Sequence, residues 1–149
     1  MQKEILSKPY LISVDDLSIS DVELIFDKVK FFQQQAAKNS ISTELEGYTV
    51  ALAFFEPSTR TRISFELATK RLGGKTFLFS SNISSLTKGE SLLDTLRTLE
   101  AMDVQIFVVR HSCSGVPHLL QRNTSRMIVN AGDGKHEHPT QALLDAYTI

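Results

Sequence analysis

Cysteine is almost absent: Cys113 is the single one among 149 residues. One thiol excludes an intrachain disulfide and fits a reducing, cytoplasmic setting. No apolar run approaches the roughly 20 residues of a membrane span. The opening stretch, MQKEILSKPYLIS, holds no long apolar core, so no signal peptide is expected there. Charge of one sign is also missing, with 16 Lys and Arg against 17 Asp and Glu. Such a balance gives no bulk field for nucleic acid or a membrane surface, so any anion site must be local. Neither GxxxxGK[ST] nor a GxGxxG after the first strand occurs, which sets aside a P-loop and disfavours a dinucleotide site. There is no internal repeat and no low-complexity tract.

The rest of the composition, 42% apolar and 22% charged, is that of an ordinary soluble domain. A chain of this length buries roughly 70% of its unfolded surface, enough for a real core. Helical periodicity runs through Leu24, Ile25, Val29, Phe32 and Ala36, with a cap expected at Ser20-Asp21. Thr49–Phe55 reads as a strand buried on both faces. A helix is predicted over Thr59–Leu72, closed by Gly73-Gly74. Further strands are predicted at Lys75–Ser80, Val104–Arg110 and Arg126–Asn130. Helices are predicted at Glu90–Met102, Val116–Gln121 and from Thr140 onward. Strands alternating with helices predict an α/β fold: a three-layer α/β/α arrangement with a mainly parallel sheet of about four strands and helices on both faces. The chain stops inside a helical pattern, DAYTI, which suggests a boundary within a longer protein; a natural ragged end is the alternative.

Ligands of such sheets sit beyond the carboxyl ends of the strands. Four segments fall there: 56–62, 80–90, 110–115 and 130–141. The first follows a strand in FFEPSTRTRISFE and places Ser58, Thr59, Arg60 and Thr61 on a first helical turn. Unpartnered N–H groups and the helix dipole favour an anion at that end. Arg60 adds a planar fork matched to phosphate. The competing reading is a plain cap with arginines paired to acids such as Glu66; Arg62 is expected to be mainly structural. Arg110 ends an apolar strand and should emerge at the same edge. In HPTQ, Pro139 suits the first helical position, so His138 falls at the cap, where a neutral imidazole can donate to a developing oxyanion. Gln141 offers a donor and an acceptor to an amide-like group. The alternative for His138 is a packed helix-start histidine. His136 and His138 with Asp133 lack a third ligand at sensible zinc spacing, so no metal and no cofactor are expected. His111 and His118 read as surface or packing residues. In SSLTKGES, Ser84 and Lys88 form a cationic arm that could complete a phosphate cage, in its own site or a neighbour's.

FFEPSTRTRISFE, SSLTKGESLLDT, VVRH and NAGDGKHEHPTQALLD together resemble the aspartate carbamoyltransferase catalytic chain, in order across about Tyr48–Ile149. STRTR and HPxQ would also fit ornithine carbamoyltransferase; Glu56-Pro57, the SxxxKGES loop and Thr140 favour the aspartate enzyme. The resemblance implies carbamoyl phosphate as substrate, used to carbamoylate L-aspartate in de novo pyrimidine biosynthesis. It implies that Ser58, Thr59, Arg60, Thr61 and Arg110 hold the phosphate. Thr61, Arg110 and His138 would polarise the carbamoyl oxygen, and Gln141 would contact the amide. It implies a homotrimer in which Ser84 and Lys88 serve a neighbouring subunit, and a Glu56 that bridges to arginines of a second domain. It leaves a regulatory chain open. That second, aspartate-binding half is absent here, so residues 1–149 are expected to be a carbamoyl phosphate-binding domain with little or no activity alone. A non-catalytic anion-binding or assembly module is the reading from another class.

Overall fold

The computed structural model describes residues 5–38, 42–80 and 91–149. A short 3-10 helix, Val14–Asp16, leads into α1 (Ile19–Ala37), β1 (Thr49–Phe54), α2 (Thr59–Arg71), β2 (Lys75–Ser80), α3 (Leu92–Ala101), β3 (Ile106–His111), α4 (Val116–Gln121), β4 (Met127–Asp133) and α5 (Pro139–Thr148). All strand pairs are parallel, in the order β2-β1-β3-β4. This is the α/β sheet that the alternating pattern predicts.

The apolar run of β1 is continuous because both its faces are covered. Ala51 and Ala53 join Phe107, Val109, Leu96, Leu99 and Leu120 on the α3 and α4 side. Val50, Leu52 and Phe54 join Ile106, Val108 and Phe65 on the α2 side. Each such large side chain withdrawn from water contributes about 1.5–3 kcal/mol. The helices thus lie on both faces. α1 packs on α5, with Phe26 and Tyr147 edge to face at 5.3 Å and the Tyr147 hydroxyl donating to Gln33 at 3.1 Å.

Most boundaries shift by one or two residues from the sequence reading, and three of the differences bear on the site or its support. The α1 cap is Ser18 rather than Ser20-Asp21, and Asp21 is its N3 partner in a reciprocal capping box. Asp21 also accepts from the Ser7 backbone and hydroxyl. The bonds from Ser7 and Ser18 hold its carboxyl well below the usual range. β3 starts two residues late and extends to His111. β4 runs three residues past Asn130, through Ala131, Gly132 and Asp133, a stretch that reads from its glycines as loop. It remains strand because it is buried and because Asn130 satisfies the backbone there: its Oδ1 accepts from Gly132 N at 2.9 Å.

The chain leaves β1 for one sheet edge through β2 and returns to the other side of β1 through β3. The switch point therefore lies between β1 and β3, where an open α/β sheet has its crevice. Phe54 pairs with Arg110 there, and Phe55 N donates to the Arg110 carbonyl at 2.8 Å. Among the described residues no helix is long and apolar enough to cross a membrane.

Candidate active site

Beyond this switch point lies a cleft of about 780 Å³ whose lining includes Ser58, Arg60, Thr61, Arg110, His138 and Gln141. Six of the predicted residues are thus brought together from three separate segments. Thr59 is exposed at the first position of α2 and is not part of this lining. Ser84 and Lys88 lie outside the described residues.

The N-terminus of α2 is an open end. Ser58 occupies the cap position, with φ −157° and ψ 100°, and its carbonyl accepts from Arg62 N at 3.2 Å. Its hydroxyl, however, makes no side-chain capping bond. The first-turn N–H groups and their partial positive charge are therefore left to face the cleft. Arg60 is exposed and forms no ion pair among the described residues. Glu66, offered as an arginine partner, instead bonds Lys70 at 2.6 Å, one helical turn on. That bond is the main cause of its lowered pKa, and Arg62 adds a smaller attraction.

Arg110 is held from below. Its Nη1 donates to the Ala131 carbonyl at 2.9 Å, and its Nη2 lies 3.6 Å from Glu56 Oε1. Its Nε is buried without a hydrogen-bond partner among the described residues. The guanidinium lies across Gly132: a Cβ built there would sit 2.4 Å from Nη1 and 3.5 Å from His138 Cδ2. Gly132 has φ +114°, a backbone that side-chain-bearing residues rarely adopt. The glycine therefore gives Arg110 and His138 their common floor. Sequence reasoning missed it, because Gly132 and Gly134 make this stretch read as a glycine-rich loop after Asn130.

His138 caps α5, followed by Pro139 at the first helical position. Burial, and secondarily the Arg110 charge, lower its pKa below the ordinary 6.5. The ring is therefore neutral at pH 7 and gains charge only as the medium is acidified below that value. Its Nδ1 lies 3.2 Å from the Thr140 hydroxyl. Gln141 lines the cleft while its Nε2 donates to Asp145 at 2.9 Å.

The loop bearing His138 is fixed by groups the motif reading did not single out for this task. Asp133 is fully buried. It accepts from Gly115 N at 2.8 Å, Glu137 N at 3.0 Å and Asn130 Nδ2 at 3.2 Å, and pairs with His136 at 3.1 Å. Burial alone would push its carboxyl up; these bonds outweigh it and hold the pKa below the ordinary value. Glu137 accepts from the Ser13 hydroxyl at 2.8 Å and from Val14 N at 3.0 Å, tying the loop to the 3-10 helix. The signal for these was an Asn and an Asp continuing an apolar strand, where only satisfied polar groups are tolerated. His111 packs on Phe55 and accepts from Cys113 N, and His118 packs on His136. Among the described residues no group of three or more His, Cys, Asp and Glu is placed to hold a metal.

A pre-formed helix N-terminus, two guanidiniums and a neutral imidazole around one cleft can hold a tetrahedral oxyanion and polarise an adjoining carbonyl. Comparison with known proteins agrees. Residues 10–149 match the family described as aspartate/ornithine carbamoyltransferase, carbamoyl-P binding domain. The chain is 52% identical over 141 residues to the aspartate carbamoyltransferase catalytic subunit of Rhodospirillum centenum, covering 94% of this chain and 44% of that protein. It is 50% identical to the Campylobacter hominis catalytic subunit, covering 96% and 47%. Among solved structures it is similar to the catalytic subunit of M. jannaschii aspartate transcarbamoylase, with TM-score 0.87, 41% identity and coverage of 95% and 46%. It is also similar to the Trypanosoma cruzi enzyme in complex with carbamoyl phosphate and aspartate, with TM-score 0.89, 36% identity and coverage of 95% and 45%. The chain spans less than half the length of these relatives. Matching over residues 10–149 the model of its carbamoyl-P binding domain, the chain belongs to the aspartate/ornithine carbamoyltransferase family.

Proposed function

We propose that this chain supplies the carbamoyl phosphate half-site of a cytoplasmic aspartate carbamoyltransferase, which forms N-carbamoyl-L-aspartate and phosphate on the route to pyrimidines. The observation that carries the reading is the convergence of the α2 N-terminus, Arg60, Arg110 and His138 on one cleft at the switch point. The Rhodospirillum centenum and Campylobacter hominis relatives support aspartate over ornithine as the acceptor, both being aspartate carbamoyltransferase catalytic subunits. Aspartate itself is taken by a second domain that these 149 residues do not include.

In this reading Ser58, Arg60, Thr61 and Arg110 hold the phosphate, and Thr59, outside the cleft lining, contributes its first-turn backbone N–H. His138 donates to the carbamoyl oxygen, with Thr61 and Arg110 beside it, and Gln141 turns from Asp145 to the carbamoyl amide. The aspartate amine attacks the carbamoyl carbon and a C–N bond forms. The carbonyl oxygen gains charge, then the C–O bond to phosphorus breaks. Phosphate leaves with the electron pair and accepts the proton lost by the amine. Positioning and electrostatics supply the acceleration, with no covalent enzyme intermediate. A homotrimer, with Ser84 and Lys88 completing a neighbour's site, belongs to the same proposal.

Calorimetric titration of the chain with fresh carbamoyl phosphate, against inorganic phosphate, tests this. Saturable binding that prefers carbamoyl phosphate is expected. Arg60→Ala should weaken both ligands by about tenfold or more, the worth of a charge-assisted hydrogen bond. Equal binding of the two ligands, or affinity unaffected by Arg60→Ala, would favour a non-catalytic anion module.

A further inference from the structure

His138 is useful as a donor only if the nitrogen facing the cleft carries its proton, and a neutral imidazole has one proton for two nitrogens. Its surroundings pull in opposite directions. Nδ1 lies against the Thr140 hydroxyl at 3.2 Å. The opposite side of the ring, at Cδ2, lies over Gly132, across which the Arg110 guanidinium is also laid, and the Arg110 charge opposes a proton on the ring. A cation on that side favours a bare lone pair at Nε2, which is the wrong tautomer for donation. Glu56 offsets this incompletely, being 3.6 Å from Arg110 and partly exposed. Arg60 adds a further positive charge to the same cleft. Thr140 is the second residue of α5, so no carbonyl four residues back belongs to its helix, and Nδ1 is the partner its hydroxyl meets.

We propose that Thr140 is a positioning residue: by donating its hydroxyl proton to Nδ1, it keeps His138 as the Nε2–H tautomer against the bias of Arg110. The consequence for catalysis rests on the carbamoyl phosphate reading; the tautomer itself does not. A hydroxyl at this position turns a histidine that caps a helix into an oriented donor, and links the residue after Pro139 to the polarisation of the carbamoyl oxygen.

The experiment is two-bond 15N–1H correlation of the His138 ring in the 15N-histidine-labelled chain, near neutral pH, free and with saturating inorganic phosphate. Wild type should show a protonated Nε2 and a bare Nδ1 in both states. Thr140→Val, which keeps shape and removes the hydroxyl, should shift the ring toward Nδ1–H, and Thr140→Ser should restore it. Thr140→Ala serves in place of valine if the latter perturbs folding. Phosphate affinity should stay within about twofold, while preference for carbamoyl phosphate over phosphate falls by about tenfold, the worth of one oriented hydrogen bond. An Nδ1–H ring in wild type, or an unchanged ring in the hydroxyl-free variants, overturns the proposal. Failure of wild type to bind phosphate counts against the functional reading alone, since the free-chain spectrum still decides the tautomer.

Discussion

At the α2 edge of the cleft, Ser58 makes no capping bond and Arg60 no ion pair among the described residues. At the β4–α5 edge, Asp133, Asn130 and Glu137 are each bonded two or more times, and the first two are fully buried. The contrast separates two tasks. An edge that must capture a mobile anion keeps its donors free, because a donor already satisfied has less to gain from the ligand. An edge that must aim one imidazole fixes everything behind it, since a displaced donor loses most of its electrostatic worth. Arg110 stands between: one nitrogen is anchored on Ala131, and its Nε is unpartnered among the described residues.

The sharpest way to break this comparison is Asp133→Ala. It would leave the N–H groups of Gly115 and Glu137 without their acceptor, and Asn130 Nδ2 with the Ile12 carbonyl alone. Buried donors abandoned in this way cost about 1–3 kcal/mol each, so an overall loss on the order of 3 kcal/mol is expected in urea unfolding, allowing for partial relaxation. A loss under about 1 kcal/mol would mean the rigid edge is not rigid.

Next in size is Gly132→Ala. The added methyl would meet Arg110 Nη1 at 2.4 Å, at a backbone φ of +114°. The strained backbone costs about 1–3 kcal/mol. The guanidinium must also leave Ala131, so phosphate affinity should fall by about tenfold. Isothermal titration alongside urea unfolding separates the two effects. Unchanged affinity with reduced stability would show that Arg110 reaches its ligand without that floor.

The two edges also differed in legibility. The α2 edge announces itself, because STRTR after a buried strand is local chemistry on a first turn. The sheet and its order of elements were legible for the same reason: each apolar run was continuous and each helix periodic. The rigid edge was hidden by distance. Glu137 reaches Ser13 across 124 residues, and Gly132 matters because of an arginine on the neighbouring strand. Neither relation leaves a mark in local pattern. The extension of β4 through Gly132 was masked too, since glycine and aspartate are poor strand formers until Asn130 and burial override them. Thr59 failed to join the cleft lining because consecutive residues on a first turn point about a quarter-turn or more apart around the axis.

The smallest effect offers the most direct comparison of an open helix end with closed ones. Ser18 and Ser91 both complete capping boxes, with Asp21 and Asp94, so Ser18→Ala should cost about 1 kcal/mol. Ser58 has the same residue type at the same position and lacks the bond. Ser58→Ala should therefore cost less than about 0.5 kcal/mol, the level of an ordinary surface change. Its cost should appear in ligand binding instead, as a modest loss of phosphate affinity. If Ser58→Ala destabilises the fold as much as Ser18→Ala, the hydroxyl caps α2 in solution and the end is not held open for an anion. If stability is untouched while phosphate affinity falls, the same serine is a cap in α1 and a ligand group in α2, and what distinguishes them is whether the N3 residue is an aspartate, as in α1, or Thr61, whose side chain makes no reciprocal bond there.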